Sequence, residues 1–299
     1  MEIVLEPGRY IVAVSGGVDS MALLHMLLMC LRRDSALSMV VAHFDHGIRA
    51  NSSLDADLVH ETAQSYGLPF VTEQGNLGPH ASEATARHAR YDFLERVRQV
   101  HGAEAIVTAH HQDDLMETVV LNLMRGTGRK GLSPLRSRPL IQRPLLSVSK
   151  SALIDYAHMH QLRWHEDATN TDDTYRRNYI RHHVLPRFSH QNKAELLHIS
   201  ATMAVVNHEL DTLLNSILTV NIQGTSLDRA LFIQLPYATS VELLASWLRL
   251  HGLRQFDRLT LERVTIAAKT YQVNKIIDLR AGSHITVGKT TLALHVTER

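Results

Sequence analysis

The residues best suited to chemistry in this sequence form a glycine-rich stretch near its beginning, residues 15–20. A strand-like apolar run at residues 11–14 precedes this stretch, and a helix-like segment over residues 21–31 follows it. Glycines let backbone N–H groups turn inward and the start of a helix adds positive dipole, so such a loop binds phosphate. We therefore predict that the phosphates of a nucleotide bind Ser15, Gly16, Gly17, Val18, Asp19 and Ser20.

Asp19 distinguishes this loop from a Walker loop. A Walker loop carries a lysine after its glycines, whereas this loop has a carboxylate and no lysine. Because Mg²⁺ is commonly held by a carboxylate together with substrate phosphates, we predict a magnesium ion with Asp19 as its ligand. The alternative is an ordinary strand-to-helix turn in which Asp19 or Ser20 caps the helix.

A second group of candidates surrounds a predicted helix at residues 112–124. Asp114 and Glu117 lie three residues apart in its first turn and therefore share a face. They could bind an ammonium group or Mg²⁺, or they could cap the unpaired N–H groups of the helix start and complement the helix dipole, an effect worth about 0.3 to 1 kcal/mol each. His110 and His111 beside them raise the alternative of a zinc site, although their spacing is not that of a zinc finger or an HExxH helix.

Polar residues also follow the second predicted strand, which begins at Met39. Asp45, His46 and Arg49 could contact nucleotide or substrate, because ligands of doubly wound sheets bind beyond the carboxyl ends of the strands. The alternative is a solvated turn around Gly47.

Positive charge is concentrated in one part of an otherwise balanced chain. Residues 118–154 contain no Asp or Glu, but they contain Arg125, Arg129, Lys130, Arg136, Arg138, Arg143 and Lys150. The glycine-rich part of this segment, residues 125–132, is suited to closing over a polyanion. Arginines and tyrosines interleave at residues 175–183, a pattern able to contact phosphates and stack on unpaired bases. A solvated helix face is the alternative.

Length and composition define the class of protein. The 299 residues suffice for two domains with sizeable cores, and the net charge of +1 means that nucleic-acid binding would depend on local patches. Cys30, the single cysteine, lies among leucines, is expected to be buried and excludes an internal disulfide. An acidic start, and no apolar run long enough to span a membrane, predict a cytoplasmic protein.

Strand-like and helix-like segments alternate through the first half of the chain. This alternation predicts an α/β fold built on a doubly wound parallel sheet. Residues 275–296 alternate apolar and polar side chains, which is typical of half-buried antiparallel strands and predicts a smaller C-terminal α+β domain. We place the first domain at residues 1–190, a helical connector at 191–222 and the C-terminal domain at 223–299.

The order of these motifs resembles that in tRNA(Ile)-lysidine synthases, which are PP-loop enzymes of the N-type ATP pyrophosphatase family with an adenine nucleotide alpha hydrolase-like fold. The shared stretches, within roughly residues 10–187, are 15–20, 45–49, 86–91, 110–118, 125–132, 143–146 and 166–181. The resemblance implies a ligase that uses ATP and Mg²⁺ to join L-lysine to the wobble cytidine, position 34, of a tRNA(Ile) with a CAU anticodon. Adenylation of the cytidine precedes the lysine step.

The resemblance also implies roles for individual residues. Asp19, Arg90, Asp114 and Glu117 would be catalytic, Asp114 and Glu117 would hold lysine, and Asp45, His46 and Arg87 would join the glycine-rich loop in binding ATP. The residues expected to contact tRNA are Arg125, Arg129, Lys130, Arg177, Asn178 and Arg181, aided by the C-terminal domain. The oligomeric state stays open, with a homodimer as one option.

Three other functions share such a loop. A tRNA cytidine thiolase would need catalytic or cluster-binding cysteines, whereas Cys30 is expected in the core. An amide-forming synthetase of the asparagine, GMP or NAD type would leave the basic segment without a role. A non-catalytic nucleotide-binding module would leave the acidic pair without one. Pyrophosphate release that depends on both lysine and tRNA separates all of them.

Overall fold

The computed structural model describes residues 3–47, 52–75, 77–78, 82–166, 176–253, 256–279 and 282–296. The chain forms two compact units, Met1–Ala201 and Thr202–Arg299. Within the described ranges, no helix combines the length and the apolarity needed to cross a membrane.

The first unit is built on a five-stranded parallel sheet. Its strands are β1 (Gly8–Ala13), β2 (Leu37–Asp45), β3 (Phe70–Gln74), β4 (Ala105–Val107) and β5 (Ile141–Gln142), in the order β3-β2-β1-β4-β5. Strand order reverses beside β1, which places a ligand crevice at its carboxyl end. The predicted doubly wound sheet is confirmed. β5 carries no sequence signal, because a strand of two residues has no apolar run.

Helices cover both faces of this sheet. They are α1 (Val18–Leu31), α2 (Ser52–Ser65), α3 (Glu83–Val100), α4 (Gln112–Met124) and α5 (Lys150–Met159). Successive residues of β1 face opposite sides, so that Val12 joins the core formed with α1, α2 and α5, whereas Ile11 joins the core formed with α3. Both side chains are fully buried, which explains why β1 is a continuous apolar run in the sequence.

A group of short helical turns packs on α4. These turns are α6 (Arg176–Tyr179), a π-helical turn (Ile180–Val184) and a 3₁₀ turn (Leu185–Arg187). Ile180 and Leu185 are buried against Met116 and Val120 of α4. This apolar contact holds the arginine-rich segment beside the first turns of α4, and π-helical turns are often found at functional sites.

The helix α7 (His190–Asn221) has 32 residues and belongs partly to each unit. It occupies nearly all of the predicted connector, residues 191–222. The division into two units falls inside α7, and the two boundaries expected from the sequence, after residues 190 and 222, stay predictions.

The second unit combines an antiparallel sheet with three further helices. The strands are β6 (Ile222–Gln223), β7 (Ser226–Asp228), β8 (Ile276–Asp278), β9 (His284–Val287) and β10 (Thr291–His295), in the order β6-β7-β10-β9-β8. The helices are α8 (Arg229–Gln234), α9 (Tyr237–Leu250) and α10 (Arg258–Thr270). Alternate residues of β9, Ile285 and Val287, pack in a core with the fully buried Trp247. The predicted α+β architecture of this smaller part is confirmed.

Candidate active site

The glycine-rich loop joins β1 to α1 at the carboxyl edge of the parallel sheet. Gly17 is the N-cap of α1 and makes no side-chain capping bond, and Asp19 and Ser20 lie inside the first helical turn, so the capped-turn alternative does not apply. Ser20 Oγ instead accepts the Ser15 N–H at 3.1 Å and donates to the Gly17 carbonyl at 2.9 Å. A helix start without a side-chain cap offers its N–H groups to an anion. The loop therefore has the geometry of a phosphate cradle.

Residues far along the chain hold the backbone of this loop. Gly16 has a φ of +90°, where glycine is favoured, and a Cβ there would approach the Cβ of Asp55 on α2 to 3.3 Å. His165 donates its N–H to the Gly16 carbonyl at 3.0 Å, and its Nδ1 lies 2.8 Å from Asp55 Oδ1. Asp55 and His165 thus position the loop, and the sequence alone assigns neither of them a role.

Asp19 forms an ion pair that the sequence does not reveal. Lys150 Nζ, at the start of α5, lies 2.8 Å from both carboxylate oxygens of Asp19. Burial raises the pKa of Asp19, but the contact with His111 and the charge of Lys150 outweigh it, so the pKa lies below its ordinary value. The Lys150 backbone N–H donates to Asp113 on α4 at 2.8 Å. A lysine thus reaches the loop from elsewhere in the chain. In the sequence, the only local indication is Ser149, which as an N-cap residue places Lys150 at the start of a helix.

His111 is the N-cap of α4 and links Asp114 to Asp19. Its Nδ1 accepts the Asp113 N–H at 3.2 Å, and Asp114 Oδ2 accepts the His111 N–H at 3.0 Å, which forms a capping box. The Nε2 of His111 faces Asp114 at 3.4 Å and Asp19 at 3.6 Å. Burial lowers the pKa of His111, but the contact with Asp19 and the charge of Asp114 outweigh it and raise the pKa overall. Asp114 therefore does cap the helix, as the alternative held, and it also faces the site.

Glu117 is almost fully buried and is held by arginine. Arg181 donates to its two carboxylate oxygens at 2.6 and 3.1 Å, and Arg177 Nε lies 3.4 Å from Oε2. Arg181 Nη2 also lies 4.0 Å from Asp114 Oδ1. One guanidinium thus reaches both carboxylates, as expected for two residues on the same helix face.

The first unit matches a known protein family. Residues 3–188 fit the family model described as the PP-loop domain. The chain belongs to the PP-loop family. Residues 15–20 are accordingly called the PP-loop below.

Curated relatives of this PP-loop protein include tRNA(Ile)-lysidine synthases. The synthase from Nostoc sp. (strain PCC 7120) is 41% identical over 184 residues, which are 60% of this chain and 53% of that protein. The synthase from Thermus thermophilus is 41% identical over 183 residues, or 59% and 35% of the two proteins. The bifunctional protein TilS/HprT of Listeria monocytogenes is 36% identical over 209 residues, or 66% and 32%. The predicted resemblance is confirmed, and the matched part spans about a third to a half of these relatives.

A solved structure with a similar fold is the U34-tRNA thiolase NcsA of Methanococcus maripaludis with its iron–sulfur cluster. It matches with a TM-score of 0.57 and 16% sequence identity, covering 68% of this chain and 73% of that chain. This likeness supports the PP-loop fold and says nothing further about activity.

Two of the nucleotide residues expected beyond the PP-loop, Asp45 and His46, lie at the end of β2, whereas the third, Arg87, lies on α3. Asp45 accepts the Gly47 N–H at 2.8 Å and the Gln74 side-chain amide at 3.3 Å, so its carboxylate holds the turn. The ring of His46 lies edge-on to Phe44 with centroids 5.0 Å apart. Because β2 pairs with β1, both residues lie at the same edge as the PP-loop. Their roles in binding ATP stay predictions. Arg49 lies outside the described residues.

Three of the residues expected to contact tRNA follow α4. Arg125 is the C-cap of α4, and Arg129 and Lys130 lie in the 3₁₀ helix Arg129–Leu132. This turn is attached to α4 through Asn122, whose amide donates to the Gly131 carbonyl at 2.9 Å. The glycine-rich segment therefore adopts a defined turn, and its contact with tRNA stays a prediction.

The other three lie in the segment that packs on α4. Arg177 Nη2 donates to Thr118 Oγ1 at 2.7 Å, Asn178 is buried, and Arg181 holds Glu117. The fold thus places Arg177 and Arg181 beside the acidic pair. Their predicted contacts with tRNA are untested, and residues 167–175 lie outside the described part of the chain.

Mg²⁺ fits the chemistry of the PP-loop region. The Asp19 carboxylate lies in the first turn of α1, and a carboxylate next to bound phosphates is the donor set that Mg²⁺ prefers. A metal ion there would share Asp19 with Lys150, which occupies both carboxylate oxygens. Among the described residues, no group of three or more His, Cys, Asp or Glu side chains forms a protein-only metal site, which is the arrangement that zinc would need.

Proposed function

We propose that this chain is a tRNA(Ile)-lysidine synthase. In this proposal it ligates L-lysine to C2 of cytidine 34 in the CAU anticodon of tRNA(Ile) and converts ATP to AMP and diphosphate. The observation that carries the proposal is the 36–41% identity to tRNA(Ile)-lysidine synthases over about three fifths of the chain. The PP-loop and the acidic start of α4 supply the groups that such a reaction needs.

In the first step, the C2 oxygen of the cytosine attacks the α-phosphate of ATP. An O–P bond forms, the bond to the β-phosphate breaks, and diphosphate leaves. The PP-loop N–H groups with Ser15 and Ser20 would hold the phosphates, Asp45 and His46 would contact the nucleotide, and Arg87 would counter charge near it. Mg²⁺ bound at Asp19 would neutralise phosphate charge, and Arg90 and Lys150 add positive charge near the same edge of the sheet.

In the second step, the ε-amine of lysine attacks C2 of the adenylated cytidine. A C–N bond forms, the C2–O bond breaks, AMP leaves with the oxygen, and the amine loses a proton. An adenylated oxygen is a far better leaving group than a free carbonyl oxygen, which explains the order of the steps. Asp114 and Glu117 would bind ammonium groups of lysine, and a site built to pair carboxylates with the substrate rejects analogues that leave them unsatisfied.

The two carboxylates are not equally available to lysine. Glu117 is already held at 2.6 Å by Arg181, whereas Asp114 lies 4.0 Å from the same arginine. We therefore assign the primary ammonium contact to Asp114. Glu117 would join only if Arg181 moved toward another anion, such as an RNA phosphate.

Contacts with tRNA would extend beyond the catalytic centre. The proposal assigns phosphate contacts to Arg125, Arg129, Lys130, Arg177 and Arg181, with Asn178 beside them. It treats residues 1–190 as the catalytic domain, 191–222 as the connector and 223–299 as an accessory tRNA-binding domain. It also places the protein in the cytoplasm, where the tRNA is found.

A tRNA thiolase is the competing function. Its chemistry needs a reactive cysteine or an iron–sulfur cluster. The only cysteine of the sequence, Cys30, lies near the end of α1 and directs its thiol to the Ile3 carbonyl at 3.1 Å. This placement is that of a structural residue and does not favour sulfur transfer.

The decisive assay follows labelled L-lysine into a tRNA(Ile) transcript with a CAU anticodon. We expect incorporation that requires ATP and produces equal amounts of AMP and diphosphate. A transcript with another base at position 34 should take up no label. Without lysine, label from α-labelled ATP should accumulate on the tRNA as AMP. Diphosphate release without tRNA, or sulfur in place of lysine, would contradict the proposal.

A further inference from the structure

Three arginine side chains gather around Tyr91 at the carboxyl edge of the parallel sheet. The guanidinium carbons of Arg87 and Arg90, both on α3, lie 4.8 and 5.5 Å from the centre of the Tyr91 ring. Arg143, which follows β5 directly, donates from Nη2 to the Tyr91 hydroxyl at 3.4 Å. Because Arg143 is more than 50 residues away from α3 in the chain, the fold and not a local motif brings the three together.

The charge of Asp114 acts on Arg90, but this arginine group has no direct carboxylate partner in the described part of the chain. Among the described residues, none of Arg87, Arg90 and Arg143 forms an ion pair with a carboxylate. Arg143 is only 7% exposed, and its guanidinium also donates to the Arg136 carbonyl at 2.7 Å. The Nε atoms of Arg90 and Arg143 are buried without a hydrogen-bond partner in the described structure. Such burial is costly unless an anion binds.

The pKa of His110 reflects the same excess of positive charge. It lies after β4, and its Nδ1 is 2.8 Å from the Thr108 hydroxyl. Burial, followed by the charges of Arg143, Arg90, Arg87 and Arg177, lowers the pKa of His110 to about 2. The imidazole therefore stays neutral in the crowded group.

The position of this group relates it to the PP-loop. β4 pairs with β1 on one side and with β5 on the other, and all three strands are parallel. Their carboxyl ends therefore lie along one edge, with Arg143 two strands away from the PP-loop. His111, the residue after His110, contacts Asp19 of the PP-loop at 3.6 Å, so the start of α4 connects the two groups along this edge.

We propose that Arg87, Arg90 and Arg143 form a binding pocket for a phosphate oxyanion, with Arg143 as a binding residue to which the sequence alone assigns no individual role. Guanidinium groups suit this ligand because their planar forks bind phosphate oxygens in pairs. The oxyanion comes either from the diphosphate part of ATP or from the tRNA backbone. This inference rests on the proposed function for those two substrates.

Two binding measurements on the full chain separate the sources. Calorimetry gives the affinity for inorganic pyrophosphate, and filter binding gives the affinity for tRNA at several salt concentrations. The variants are Arg90→Gln and Arg143→Gln, with Arg96→Gln as the control. Arg96 is also on α3, but it is exposed and paired with Glu73 at 2.7 Å.

We expect both pocket variants to lower the affinity for one of the two ligands about tenfold or more, since each removes charged hydrogen bonds. The control should leave both affinities unchanged.

The outcome shows which substrate supplies the phosphate oxyanion, or it shows that the proposed pocket does not bind one. Loss of pyrophosphate affinity places the diphosphate part of ATP at the arginines, and loss of tRNA affinity with a shallower salt dependence places RNA there. If both variants keep both affinities, the pocket does not exist. Arg143→Lys retains the positive charge and should recover part of the affinity that Arg143→Gln loses. If Arg143→Gln does not fold, the affinities of Arg90→Gln alone test the pocket. Neither measurement needs lysine transfer, so failure of the proposed ligation would be seen separately.

Discussion

Each acidic residue of the site has a partner that limits what it can do. Asp19 is held by Lys150, Glu117 is held by Arg181, and Asp114 caps α4 through the N–H of His111. Asp114 nevertheless keeps its other oxygen, Oδ1, 4.0 Å from Arg181, without a close ion pair. At the scale of single residues, Asp114 is therefore the carboxylate best able to accept a new ammonium group.

Asp114→Asn tests this assignment with little damage to the fold. The side-chain oxygen of asparagine can still accept the His111 N–H, so the substitution removes charge while keeping that hydrogen bond. We expect the KM for lysine to rise about tenfold or more, which corresponds to the loss of a charged hydrogen bond. The rate of tRNA adenylation, measured with labelled ATP in the absence of lysine, should change little.

The exposed Asp155 on α5 provides the control for this prediction. Asp155→Asn removes the same charge away from the site and should leave the KM for lysine unchanged. If Asp114→Asn and Asp155→Asn give the same lysine dependence, Asp114 does not bind the substrate ammonium.

His110 makes the stability of the protein depend on pH. Its pKa in the fold is about 2, because burial and the neighbouring arginines disfavour the imidazolium. An unfolded histidine has a pKa of about 6.5, so below that pH the unfolded chain binds a proton that the folded chain does not. The free energy of unfolding should therefore fall as the pH drops below about 6.5, by up to about 1.4 kcal/mol per pH unit from this residue.

His110→Gln should remove that contribution and flatten the pH dependence between about pH 7 and pH 5. Urea unfolding in phosphate-free buffer measures it, and His88→Gln, at an exposed position of α3, is the matched control. Identical slopes for the wild type and His110→Gln would mean that His110 titrates normally in the fold.

At the scale of elements, the turn after α4 depends on one glycine. A Cβ at Gly131 would overlap the side chain of Thr127, whereas a Cβ at Gly128 meets nothing within 4 Å. Gly131→Ala should therefore displace the 3₁₀ helix that carries Arg129 and Lys130, and Gly128→Ala should not. We expect roughly threefold to tenfold weaker tRNA binding for Gly131→Ala, a loss of about 0.7 to 1.4 kcal/mol.

Filter binding at constant salt concentration measures this difference, with thermal unfolding as a check on folding. Equal tRNA affinity for the two alanine variants would show that the shape of this turn does not matter for the RNA. Weaker binding by both would point to a general loss of backbone freedom in the loop and not to displacement of the 3₁₀ helix.

At the scale of the whole molecule, affinity for RNA must come from the arrangement of charge. The net charge is only +1, so the average field offers almost no attraction for a polyanion. Replacing Arg125, Arg129 and Lys130 with Gln should flatten the dependence of log affinity for tRNA on log salt concentration. The slope should change by up to roughly 0.7 to 0.9 for each phosphate that the protein no longer neutralises.

A second triple variant controls for net charge in this experiment. Arg96, Arg98 and Arg163 lie in the first unit and are each paired with a glutamate, namely Glu73, Glu95 and Glu61. Their replacement by Gln makes the same change in net charge and should leave the salt dependence nearly intact. Equal flattening by both triple variants would place the tRNA outside the segment after α4.

The sequence alone predicts features whose determinants lie close together in the chain. The PP-loop is a strand, a turn and a helix start within about a dozen residues, and its side chains are recognisable before the fold is known. The shared face of Asp114 and Glu117 follows from helical periodicity in the same way. The parallel sheet was predictable because strand-like and helix-like segments alternate through the first half of the chain.

Only the tertiary structure decides which distant residues meet at the PP-loop. Lys150 reaches Asp19 across 131 residues, His165 reaches Asp55 across 110, and Arg181 reaches Glu117 across 64. These contacts depend on the order β3-β2-β1-β4-β5 and on how helices pack beside it, which no local pattern specifies. The arginine group around Tyr91 is of the same kind, because its members become neighbours only when parallel strands end at a common edge.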